Sequence, residues 1–309
     1  MILGLLIVGS IALDYIETPF DKIENALGGS TTYIALASSY FTGPVQIVGV
    51  VGDDLDNDHI KMLEDHNIDI DGLQIIEGGK TFRYGCKYHY DLNVRDTLYT
   101  ELNVFESFNP VIPEKSRKSR FALLGNIHPD LQSNVLDQLD NPHFIVCDTM
   151  NYWIEGWLES LLKVLKRVNV LIINDSEARL LSQEPNLIKA AAKIQAMGPQ
   201  YIIIKKGEHG ALLFGEDTVF SAPAYPLEDI FDPTGAGDAF AGGFTGYLHK
   251  TADLSFENLK RAVVYGSTMA SFCVQKFSTK GLEKLSTLQI HDRFLEFKEL
   301  SRFDDDVSI

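Results

Sequence analysis

Cysteine is scarce in this chain. Cys86, Cys147 and Cys273 are the three among 309 residues, and they stand far apart. An odd, sparse set argues for reduced thiols, in the core or at the surface, and for a cytoplasmic home. Long apolar runs are missing as well. Residues 1–13 are apolar, but no basic leader or small-residue cleavage site accompanies them, and Asp14 follows at once. A buried first strand is expected there rather than a signal segment. No other run approaches the length of a bilayer span, so no membrane partner is expected. Positive charge is in short supply: 27 Lys and Arg face 43 Asp and Glu, a net charge of −16. Nucleic acid and acidic membranes are poor partners for such a surface. Any phosphate chemistry must rest on a local positive spot. No G-x-G-x-x-G follows the first apolar run, and H-E-x-x-H, C-x-x-C and G-x-S-x-G are absent. Dinucleotide oxidoreductase, metalloprotease, zinc and serine hydrolase readings therefore lack their main supports. Gly78-Gly79-Lys80-Thr81 is not a phosphate loop, because Gln74 stands where the leading glycine belongs and no helical pattern follows.

What the chain does have is the stretch Asp232-Pro233-Thr234-Gly235-Ala236-Gly237-Asp238-Ala239-Phe240-Ala241-Gly242-Gly243-Phe244. A glycine turn opens directly into a helical pattern through Phe240, Phe244, Tyr247 and Leu248. Such a start leaves unpaired N–H groups at the positive end of the helix dipole. Gly235, Ala236 and Gly237 carry little side chain, so an anion can reach those groups closely. Asp238 stands at the rim. A carboxylate beside an anion seat is awkward unless it has work, and accepting a proton from a nucleophile that attacks a phosphoryl group is such work.

The whole string resembles the C-terminal signature of the ribokinase-like (PfkB) family of carbohydrate and nucleoside kinases. Other stretches carry the resemblance along the chain. Gly28-Gly29-Ser30-Thr31-Thr32 is similar to the family's substrate-contacting G-G-x-x-x-N element, with Tyr33 where many members have Asn. Gly52-Asp53-Asp54 resembles its V-G-x-D element. Asn174-Asp175-Ser176-Glu177 after an apolar run resembles the element tied to Mg2+ and the ATP phosphates, with Glu177 acting through water; the same spelling also suits a plain helix cap. Lys205-Lys206-Gly207 resembles the loop beside the nucleotide, where many members have a small hydroxyl residue instead of Lys205. That lysine either reaches the phosphates as a point charge or ends a strand in solvent. The resemblance further implies nucleotide contacts at Thr234 and Gly237, a K+ ion near Asp232, and an adenine border at Phe277–Gly281.

Strands are expected at 2–8, 45–51, 121–124, 144–147, 170–173, 201–205 and 211–214, alternating with helical patterns. That alternation implies a doubly wound, mostly parallel α/β sheet with helices on both faces. Ligands bind beyond the carboxyl ends of such strands. Asp14, just past the first, either takes hydroxyls of a polar ligand or caps a turn. Asn126 and His128 end another strand and are pocket candidates or ordinary loop residues. Between 81 and 105 the pattern changes to alternating aromatic and charged residues, which reads as half-buried strands. By the resemblance this is a small β lid, with boundaries near 15–34 and 76–108. The large domain takes 1–14, 35–75 and 109–309. The aromatic face of the lid either packs or stacks a planar base.

Taken together, the expectation is an ATP- and Mg2+-dependent kinase. Asp238 is its base, Gly235, Ala236 and Gly237 form the anion hole, and Asp14, Gly28, Gly29, Ser30, Tyr33 and Asn126 surround the acceptor. Asn174, Glu177, Lys205, Gly207, Thr234 and Gly237 face the nucleotide. The Gly-Gly-Ser-Thr turn and the aromatic lid lean toward a nucleoside taken at its 5′-hydroxyl. A pentose or hexose kinase is the alternative, and a non-catalytic ligand sensor on the same fold is a third reading. A homodimer through the lid edge is expected to be open to the chain.

Overall fold

The structure is a computed structural model that describes residues 4–302. Ile2, at the expected start of the first strand, and the acidic Asp304-Asp305-Asp306 end lie outside the described residues. The strands are β1 (Leu5–Val8), β2 (Ala12–Glu17), β3 (Lys22–Gly28), β4 (Val45–Gly52), β5 (Ile68–Ile76), β6 (Phe82–Tyr88), β7 (Arg95–Glu101), β8 (Phe121–Leu124), β9 (Phe144–Asp148), β10 (Val170–Asn174), β11 (Tyr201–Lys205), β12 (Ala211–Gly215) and β13 (Thr218–Ala222).

One sheet runs in the order β13-β12-β11-β10-β9-β8-β1-β4-β5. From β11 to β5 every pairing is parallel, and β12 and β13 return antiparallel at one edge. Parallel strands of this kind are covered on both faces, so they read as unbroken apolar runs. Alternate residues of one strand serve opposite faces. Leu5 and Ile7 join the core beneath the Ala236–Thr251 and Phe256–Cys273 helices, while Leu6 and Val8 join a second core on the other face. The fold is a doubly wound, mostly parallel α/β sheet.

The second sheet, β3-β2-β6-β7, is separate. Its central strands β2 and β6 bury Ile16, Cys86 and Tyr88 in a small core of their own. β7 is an edge strand exposed on both faces, unlike the half-buried run expected there. It stops at Glu101, and a short 3-10 turn, Asn103–Ser107, replaces the rest of the expected strand.

Two expected boundaries shift. β1 continues almost without a turn into β2, so Asp14 lies within the small sheet rather than just beyond the first strand. Ser30–Ser39 is a helix packed on the Ala236–Thr251 helix, with Ser38 Oγ donating to the Gly242 carbonyl at 3.0 Å. Residues from Ser30 onward therefore go with the large layer. The helix expected from Trp153 to Val168 is two, Asn151–Gly156 and Leu158–Leu165, because Trp157 adopts a non-helical backbone between them.

Candidate active site

Parallel order brings one set of loops to one edge. β1, β8, β9, β10 and β11 all end there, carrying Ser10, Asn126, Asp148, Asn174 and Lys205 respectively. The Ala236–Thr251 helix begins at the same place. Gly235 caps it at φ +76, in the left-handed region that a residue with a Cβ avoids. Directly beneath, a Cβ on Gly235 would meet the Tyr33 ring at 2.5 Å. Glycine is thus required twice, for the turn and for the close approach. Asp232 anchors the loop from the other side. Its two carboxylate oxygens accept the Thr234 and Ser278 N–H groups at 2.8 and 2.9 Å.

Carboxylates crowd the cleft. Asp14 is 4% exposed, and its Oδ1 has no hydrogen-bond partner among the described residues. Burial, with the charges of Asp232 and Asp238, pushes Asp14 up to about 8, against the pull of Arg95. Asp238 keeps some solvent contact, yet protein surrounds it as at the floor of a narrow cleft. Burial and then Asp148 raise it to about 7, while Lys205 and Arg95 hold it down. Burial lifts Glu177 to about 7, again opposed by Lys205. Asp148 is also raised by burial and lowered by Lys205. The cleft therefore gathers four carboxylates around two cations, one from the floor and one from the small sheet.

The small sheet is docked over this floor. Tyr88 is buried, and its hydroxyl pairs with Thr234 Oγ1 at 3.1 Å. Arg95 Nη1 donates to the Tyr88 hydroxyl at 3.4 Å, and its guanidinium lies 5.7 Å from the centre of the Tyr84 ring. Arg95 is solvent-exposed by surface area, yet its charge still acts on Asp14, Glu177 and Asp238. Asn93 lies against the nucleotide-type loop, where a Cβ on Gly207 would meet its Oδ1 at 2.5 Å.

The expected acceptor residues divide. Gly28 lies against Asp14, since a Cβ there would fall 2.0 Å from Asp14 Oδ2. Gly29, at φ +87, turns the chain into the Ser30–Ser39 helix. Ser30 instead bonds Ser10 through N–H and hydroxyl, tying that helix to the end of β1. Tyr33 is 1% exposed and lies beneath Gly235, and its hydroxyl, like Asp14 Oδ1, has no hydrogen-bond partner among the described residues. Asn126 stands at the same edge, but its amide is engaged by Trp153 Nε1 at 2.8 Å and Met150 Sδ at 3.2 Å. His128 caps the Pro129–Gln138 helix. Asn174 and Glu177 form a reciprocal helix cap, which uses one Glu177 oxygen and leaves the other for the cleft. Asp148 and Arg95 were not anticipated as site residues, and Tyr88 was expected only as one of the aromatics of the lid face. Asp148 had a signal, the end of an apolar strand; Arg95 and Tyr88 are placed by sheet pairing alone.

These raised carboxylates predict how stability depends on pH. The folded chain keeps protons on Asp14, Asp238 and Glu177 that an unfolded chain releases near pH 4. Stability from these groups is present at low pH and is lost as pH rises from about 4 through about 7 to 8. The ligand-free protein should melt at a lower temperature at pH 8 than at pH 5.5 in a fluorescence melt. A rise over that interval would contradict the assignment.

The description "pfkB family carbohydrate kinase" matches residues 134–285. Those residues, just under half of the chain, carry the family's domain. As a pfkB kinase it is a phosphotransferase acting on a small molecule of the sugar or nucleoside class. It is 28% identical over 248 residues to a cytidine kinase of Thermococcus kodakarensis, covering 78% of this chain and 87% of that one. Two solved structures share the fold. An E. coli protein described as ribokinase II, in complex with ATP and Mg2+, superposes with a TM-score of 0.78 at 18% identity, over 95% of this kinase and 99% of that chain. A Burkholderia thailandensis nucleoside kinase in complex with inosine gives 0.75 at 19% identity, over 95% and 97%. No helix of the described residues is long and apolar enough to cross a membrane.

Proposed function

We propose that this pfkB kinase transfers the γ-phosphoryl group of ATP to the 5′-hydroxyl of a nucleoside. The observation that carries the reading is the meeting of Asp238, the Gly235–Gly237 amides and the small-sheet Asp14 in one cleft. Asp14 has an orphaned buried oxygen suited to a hydroxyl of the acceptor, and Gly28 leaves room for it. Asp238 accepts the acceptor's proton late, as charge develops in the transition state. The amides of Gly235, Ala236 and Gly237 stabilise charge on the group in transit. Arg95, held by Tyr88, adds positive charge from above. The docked small sheet excludes water, a competing acceptor.

The donor set fits Mg2+. Among the described residues no group of three or more His, Cys, Asp or Glu side chains forms a metal cage. Mg2+ keeps several waters and binds mainly through phosphates, and Glu177 has one oxygen free to hold such a water. Bound there, Mg2+ would neutralise charge between the nucleotide phosphates. A K+ ion at Asp232 would share oxygens that two backbone amides already use, and no step is assigned to it. The nucleoside preference draws on the relatives described as a cytidine kinase and as a nucleoside kinase in complex with inosine.

ADP release over a panel of nucleosides and sugars tests the acceptor. Saturation by a nucleoside at low concentration is expected; saturation by a sugar with nucleosides inert would overturn it. The same assay reads the base. Because Asp238 must be ionised and is pushed up to about 7, kcat/KM should climb about tenfold per pH unit below that value and level off above it. A profile flat from pH 5 to 8 would exclude Asp238 as the base.

A further inference from the structure

Lys205 is the last residue of β11, locked between Asn174 on one side and Ala211 on the other. Its ammonium reaches the first turn of the Ala236–Thr251 helix, where a Cβ on Gly237 would stand 2.6 Å from Nζ and 3.6 Å from Cε. This is an unfavourable place for a cation by itself, because the helix start is positive too. Carboxylates of Asp148, Glu177 and Asp238 balance it at longer range. The side chain is half-buried, so it is not simply a strand end in solvent. Yet among the described residues no protein oxygen lies in ion-pair or hydrogen-bond contact with the ammonium. Three N–H donors at the end of a strand therefore lie at the helix start, where the Ala236 N–H already donates to the Pro233 carbonyl at 3.2 Å and the ammonium itself has no protein acceptor among the described residues.

We propose that Lys205 is a catalytic residue: its ammonium and the backbone amides at the start of the helix hold the phosphoryl group between them as it moves from nucleotide to acceptor. The inference rests on the phosphotransferase reading, and it is independent of which alcohol accepts the group. In the step, the bond from the γ-phosphorus to the bridging oxygen breaks, and its electron pair stays with ADP. The acceptor oxygen forms the new bond to phosphorus and loses its proton to Asp238. Lys205 remains an ammonium throughout and supplies charge and hydrogen bonds alone. Gly237 is part of the same device, since any side chain there would displace Nζ.

Calorimetry on the full chain separates this role from a structural one. Lys205→Met should weaken binding of Mg2+ with AMP-PNP, a non-transferable ATP analogue, about 10- to 100-fold, the loss typical of a charge-assisted contact. Affinity for AMP, which lacks the β- and γ-phosphates, should stay within about twofold. Turnover should fall about 100- to 1,000-fold. Lys205→Gln, which keeps part of the stem and a polar end, is measured beside it. Equal losses for AMP-PNP and AMP, no loss for either, or turnover within about threefold of wild type would overturn the proposal. So would loss of AMP binding in both variants, because Lys205 would then be holding the fold. A protein that passes this test but phosphorylates no nucleoside would keep Lys205 in its role and lose only the acceptor assignment.

Discussion

Asp238→Asn is expected to lower turnover by about a hundred- to ten-thousand-fold while AMP-PNP still binds. The side chains have the same shape, so the Gly235–Gly237 turn beneath has no reason to move. Asparagine cannot take up the acceptor's proton, and that is the function removed. The electrostatics add a second, opposite signature. Burial and Asp148 make the ionised Asp238 costly in the ligand-free cleft, which is why it is pushed up to about 7. A neutral amide escapes that cost. Asp238→Asn should therefore melt no lower than wild type at pH 8 while being nearly inactive. Damage to the fold would lower both together. Turnover within about threefold of wild type would remove Asp238 from the mechanism.

Gly235→Ala is the second large effect. The new methyl must sit at φ +76, which costs an L-residue roughly 1–2 kcal/mol. It must also share space with the Tyr33 ring, 2.5 Å away in a close-packed core. Overpacking of this kind costs about 1–3 kcal/mol. The loop has one way out, which is to lift, and lifting turns the amides away from the group they stabilise. Turnover should fall about a hundredfold or more, with a clear loss of stability in urea. Tyr33→Leu in the same chain removes the ring and should restore part of both. The two substitutions should then be strongly non-additive, as neighbours in contact are. Additive losses would mean that Tyr33 does not support the loop.

The two effects show what could be read from the chain and what could not. The Gly235–Asp238 turn was legible because its chemistry is local: a glycine turn, a helix start and a carboxylate are adjacent residues. The parallel strands were legible for a similar reason. A run such as Val170–Ile173, buried throughout, leaves little other choice of structure. β5 was hidden because Asp69 and Asp71 interrupt its apolar pattern near the sheet edge, where Lys115 pairs with both. Asp148 was within reach, since the rule that singled out Asp14 applies equally at the end of β9. The contact of Tyr33 with Gly235 was hidden because its place in a glycine-rich element pointed to a ligand and not to a neighbour. What decides its role is Gly235, some two hundred residues later, and only packing brings them together. Tyr88 and Arg95 depend on strand register in the small sheet and on how that sheet docks on Thr234. An alternating pattern does not encode either. Phe82, expected on an aromatic face, stacks on Phe105 at 5.3 Å, and Tyr88 is used in docking. Tyr84, another of those aromatics, has the Arg95 guanidinium 5.7 Å from its ring centre.

Phosphorus NMR of the products most directly tests whether this cleft moves a phosphoryl group onto a nucleoside alcohol. Wild-type protein is incubated with ATP, Mg2+ and cytidine. The expected result is ADP together with a new phosphomonoester signal, split by the two protons on the 5′-carbon and growing in step with ADP. ADP accompanied by inorganic phosphate alone, or a phosphoryl group on a ring hydroxyl, would contradict the account.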